Sequence, residues 1–192
     1  MTNSFKIQIY YSQPFDRLLT LYEGKQYTKN QEEEIKKYIK LFQEKWGKVH
    51  PQIIETLEEV TKTKFKTKEI KCYVVEYCLF NGLSEPLTIR MEKDLDYAIS
   101  TLIHELVHIL TKENSEKFDK ITNFIKKEFP KEAPRTQRHI LVCLIQHEVL
   151  KRLFDKKFIK KILEKESTYR RLKKAWELIL SGQLKLKDLP LS

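Results

Sequence analysis

"AISTLIHELVHILTKE", residues 98 to 113, lies in the most apolar part of the chain and yet carries His104, Glu105 and His108. Leu95, Ala98, Ile99, Leu102, Ile103, Leu106 and Leu110 recur at helical spacing, and Asp94 or Asp96 supplies an N-cap, so the stretch reads as a buried helix. Burying a carboxylate and two imidazoles without partners costs roughly 1 to 3 kcal/mol for each group. With five His and 21 Glu in 192 residues, a chance H-E-x-x-H has a probability on the order of 0.01. Two satisfied core histidines and a solvated glutamate are therefore the weaker reading, and a metal site the stronger.

The chemistry suits that reading. On a helix, residues four apart share a face, about 5 to 6 Å apart at Cβ. His104 and His108 can thus direct ring nitrogens at one ion, at about 2.0 to 2.1 Å for zinc. Glu105, one position after the first histidine, points near the ion without having to bind it, and can take a proton from water. Zinc lowers the pKa of bound water to near 7, so a carboxylate base generates a nucleophile at neutral pH. These are the components of a hydrolase.

Upstream, "FKIQIYYS" alternates with the period of a half-buried strand. Residues 13 to 28 read as loop or a short helix. "NQEEEIKKYIKLFQEKW" is an amphipathic helix, and a second helix is expected after Gly47 with Pro51 in its first turn. "EIKCYVVEYCLF" suits a central strand covered on both faces. After a turn, "NGLSEP", comes "PLTIRM", a strand whose opening proline suggests an exposed edge. Downstream, "ENSEKFDKITNFIKKEF", "RTQRHILVCLIQHEVLKRLF" and the last third are helical. The pattern predicts an α+β protein with a small sheet in the first half and helices in the second. One domain is expected: a strand and helices over 1–64, a core over 65–150 and a basic helical segment over 151–192.

With these residues in view, "STLIHELVHIL" behind "PLTIRM" resembles the zincin metallopeptidases, which set an edge strand above an active-site helix bearing HExxH. The metzincin HxxGxxH is missing, and the chain is more similar to the gluzincin side, in particular to small archaeal minigluzincin-type proteins. The resemblance covers roughly residues 65 to 150 and is specific only at the helix. It implies a zincin-like fold, a small mixed β-sheet packed on the HExxH helix with a helical C-terminal half, with Zn²⁺ as cofactor, His104 and His108 as ligands, and Glu105 as general base and acid. A peptide substrate would be held as an added strand along Leu87, Thr88 and Ile89.

A catalytic zinc normally has three protein ligands and an open position. His139, which shares a helix face with Cys143 among core-like neighbours, is the first choice for the third. Glu148, the residue type that the gluzincin pattern prefers, and His147 are the alternatives; no NExxSD-like signature marks the glutamate. Glu113 and Glu116 are more simply placed at a helix start beside Asn114. Tyr169 could reach a cleft, but its spacing with Leu172 and Trp176 says core, and His50 reads as exposed or capping.

Charge supports a second class. The net charge is +10, and residues 151–174 hold eleven Lys and Arg against Asp155, Glu164 and Glu166, a net +8. Such a segment could bind nucleic acid or an anionic membrane surface, with a structural or vestigial metal. A solvated, Lys/Glu-rich helix face is the simpler account, and no RNA-binding aromatic signature or zinc-finger spacing favours nucleic acid. A latent peptidase, its cleft covered by the C-terminal segment, is a third possibility. Cys72, Cys78 and Cys143 are odd in number and form no CxxC, so reduced thiols are expected. No stretch looks like a signal peptide or a membrane span, which leads to the expectation of a cytoplasmic protein.

Overall fold

The computed structural model describes residues 5–78 and 80–190, with the backbone alone at 170 and 171. Among these residues it is an α+β protein with seven α-helices and a four-stranded mixed sheet. In chain order the elements are β1 (Lys6–Tyr11), α1 (Gln13–Tyr22), α2 (Lys29–Thr61), β2 (Glu69–Val75), β3 (Gly82–Ser84) and β4 (Leu87–Arg90). Then come α3 (Leu95–Glu113), α4 (Ser115–Glu128), α5 (Pro134–Leu153), α6 (Lys156–Glu166), α7 (Arg170–Leu180) and a 3-10 turn, Leu186–Asp188. The chain divides into two compact units, one of residues up to 54 with 65–106, the other of 55–64 with 107 onward. The division runs through α2 and α3.

In the first unit the strand order is β1-β2-β4-β3. β2 pairs in parallel with β1 and with β4, and β3 pairs antiparallel with β4. The central position of β2 agrees with its apolar character on both parities, since Cys72, Val74 and Val75 are all fully buried. The expectation that "PLTIRM" forms an exposed edge is wrong. β4 is hydrogen-bonded on both sides, and Leu87, Thr88 and Ile89 are 1%, 0% and 0% exposed. Pro86 precedes the ladder, where its missing N–H costs no strand pairing. The edge strands are β1 and, beyond β4, β3, which is formed from residues that read as a turn.

The expected break in α2 is absent as well: the helix continues through Gly47 and Pro51 for 33 residues. Ile35, Ile39, Phe42, Trp46, Ile53, Leu57 and Val60 keep one apolar stripe in phase across the proline, and all are buried. Burial of that stripe outweighs the single helical hydrogen bond that Pro51 cannot donate. His50, inside this helix rather than capping it, is half-buried with its ring beside Trp46. Asp16 of α1 is fully buried and accepts the Glu76 backbone N–H at 2.8 Å.

The second unit is helical. Ile140, Leu141, Val142, Cys143, Leu144 and Ile145 of α5 are all buried, as a helix that is apolar on every side must be. Glu166 at the end of α6 is 2% exposed, and both its oxygens are used. Oε1 accepts from Gln146 of α5 at 2.9 Å and Oε2 from the Trp176 indole of α7 at 2.8 Å. One buried carboxylate therefore links three helices. Asp155 caps α6 by accepting the Phe158 N–H at 2.7 Å. After α7, Gly182 at φ +75° takes the left-handed conformation that reverses the chain.

The basic segment spreads over exposed faces of α5, α6 and α7, partly paired as Lys160–Glu164 and Lys174–Glu177, while the side chains of Arg170 and Arg171 lie outside the described residues. The three cysteines are free and buried. Among the described residues no helix is long and apolar enough to cross a membrane.

Candidate metal centre

Asp94 immediately precedes α3; its carboxylate accepts the Asp96 N–H at 3.0 Å and its carbonyl the Ala98 N–H at 3.1 Å. From there every residue from 97 to 107 is buried. His104 is 7% and Glu105 8% exposed; His108, one turn beyond His104, is partly buried.

His139, in the second turn of α5, meets the ring of His108 edge to face, with centroids 5.4 Å apart. One nitrogen each from His104, His108 and His139 lies within 4.8 Å of the others, a group that could hold a metal ion. The His139 Nδ1 is 2.8 Å from the backbone carbonyl of Arg135. A carbonyl only accepts, so Nδ1 carries the hydrogen and Nε2 the lone pair that an ion needs. This bond fixes both the tautomer and the ring's orientation from within its own helix.

Electrostatics favour the ligand form. Burial, then the neighbouring His139 and Arg138, holds His108 down to about 4, so at neutral pH it is the neutral imidazole, with one ring nitrogen free of hydrogen. Burial alone pushes the Glu105 carboxyl up to about 8. Fully buried Cys72 is among its electrostatic neighbours.

Glu105 is also confined sterically. A Cβ added at Gly82 would lie 2.8 Å from the Glu105 Cγ, 2.9 Å from its Oε1 and 2.9 Å from the Thr101 Cγ2. Only glycine lets β3 approach α3 this closely. The sequence reading missed this contact; its one signal was a glycine beside Leu83 in "NGLS".

The other candidates are elsewhere. Glu148 sits about two and a half turns further along α5; burial works to raise its carboxyl, but pairing with Arg152 at 3.1 Å and Lys151 at 3.4 Å outweighs this and holds it below the usual range. His147 packs edge to face on Trp176, centroids 5.8 Å apart. Cys143 is fully buried, and neither it nor Glu113 or Glu116 belongs to the group. Tyr169 is the half-buried N-cap residue of α7. Leu87, Thr88 and Ile89 lie in the closed interior of the sheet. Comparison of the chain with protein-family models, with curated proteins and with solved structures finds no match.

Proposed function

We propose that the protein is a zinc-dependent peptidase in which His104, His108 and His139 hold the ion and Glu105 moves the proton. The observation that carries this is the convergence of three imidazoles on one point, with a buried glutamate next in sequence to the first. Three imidazole nitrogen donors suit a borderline ion such as zinc and match the three-ligand sets of catalytic sites. When bound, zinc would acidify a water and polarise a carbonyl.

Glu105 removes the proton from the attacking water and delivers it to the departing amide nitrogen. Burial alone raises the Glu105 carboxyl to about 8, and a cation held beside it would draw it down into the range in which it both takes and returns a proton near neutral pH. The substrate is an extended peptide on the open edge of β3, held through main-chain hydrogen bonds. Gly82 brings that strand against Glu105, so a peptide there passes beside the proton carrier. The likeness to zincins thus rests on the HExxH helix and an edge strand. A histidine stands where the gluzincin pattern has glutamate.

The test is Glu105→Gln. The variant should keep about one zinc per chain by elemental analysis and lose about a hundredfold or more of its cleavage of an unfolded protein such as casein. Unchanged cleavage in this variant, or in metal-stripped protein, would remove the proposal.

A further inference from the structure

The second unit contains a separate pocket of about 870 Å³, within the size range of small-molecule sites. Its walls are the end of α2, the C-terminal half of α5, and the end of α7 with the segment that Gly182 turns back. Apolar side chains, among them Val60, Leu144, Ile179 and Leu184, line part of it, and five cations stand with them: Lys62, Lys151, Arg152, Lys185 and Lys187.

The two carboxylates in the lining are already engaged. Glu148 pairs with Arg152 at 3.1 Å and with Lys151 at 3.4 Å, and Glu59 pairs with Arg152 at 3.6 Å. The nearby Asp188 carboxylate accepts the Lys185 backbone N–H at 2.8 Å. No ion pair among the described residues involves Lys62, Lys185 or Lys187, and all three are exposed. The pocket therefore combines an apolar lining with three uncompensated ammonium groups.

We propose that this pocket binds a small amphipathic anion, a carboxylate headgroup held by Lys62, Lys185 and Lys187 with its hydrocarbon chain against Leu144, Ile179 and Leu184. The guanidinium fork that would select a phosphate by geometry belongs to Arg152 and is occupied by Glu148 and Glu59. The remaining cations are point charges on flexible stems, which hold a carboxylate without demanding a fixed approach. The chain contributes by removing apolar area from water, so neither part of the ligand suffices alone.

Calorimetric titration of the full chain with decanoate at low salt tests this. Saturable one-to-one binding is expected, with 1-decanol, which keeps the chain and lacks the charge, about tenfold weaker or worse. Acetate, which lacks the chain, should give no detectable heat. The double variant Lys185→Glu/Lys187→Glu should also weaken decanoate by about tenfold. Both lysines are exposed, and Lys62→Gln on another segment provides a second variant whose affinity should fall in the same direction. No decanoate binding, decanol binding as tightly as decanoate, acetate binding comparably, or unchanged affinity in the variants would each overturn the proposal.

Discussion

His139 reaches the metal group by using its own backbone. Its Nδ1–H is spent on the carbonyl of Arg135, one turn earlier, which leaves Nε2 as the donor. His139→Ala should therefore lower zinc affinity by about a hundredfold or more, because losing only the partner of a ligand already costs about 10- to 100-fold. His147→Ala should leave it unchanged. Competition with a chromogenic chelator measures both. At Gly82 the constraint is steric: Gly82→Ala puts a methyl 2.8 Å from the Glu105 Cγ, backed by a buried helix that cannot retreat. A loss of about 1 to 3 kcal/mol in urea unfolding is expected, the usual cost of overpacking. His104, Glu105 and His108 were legible because helical spacing alone puts the two histidines on one face. His139 was legible only as a buried imidazole in need of a partner. Gly82 was not, since its neighbours Thr101 and Glu105 are some twenty residues away and nothing local announces them.

At the level of elements, period was read well and punctuation badly. The helices of the second unit and the central strand β2 follow from their apolar repeats. Pro51 misled because a proline marks a helix start only when the apolar stripe changes phase there, and in α2 it does not. Replacing Pro51 by Ala should restore one backbone hydrogen bond and raise stability by roughly 1 to 3 kcal/mol, read as a higher urea midpoint with unchanged slope. Pro86 misled in the opposite sense, because it stands in the turn and leaves β4 free to pair on both sides. Three residues of β3 are too few to show a period of two. The chain partner of a strand depends on long-range packing, which no local pattern contains.

For the whole molecule, pH acts through buried groups that no local charge pattern reveals. Burial, opposed by the hydrogen bond from Glu76, raises the Asp16 carboxyl above its ordinary value. A folded-state pKa above the unfolded one means that the folded chain holds the proton more tightly. Asp16 therefore contributes stability in acid that is lost as pH rises from about 4 through the raised folded-state value. Asp16→Asn keeps the acceptor for the Glu76 N–H and removes the titration. Relative to the natural chain it should gain stability as pH rises across that range, measured by urea unfolding at several pH values.

Of the two tryptophans, Trp46 belongs to the first unit, and Trp176, with its indole N–H on Glu166, to the second. Both are almost fully buried, so each emits as an enclosed indole until its own unit opens. The variants Trp46→Phe and Trp176→Phe would turn one fluorescence signal into two independent ones. Because α2 and α3 run without a break from one unit into the other, opening either unit alone would fray both helices in mid-course and strip backbone bonds from each. The two emissions should therefore shift to the red at the same denaturant concentration.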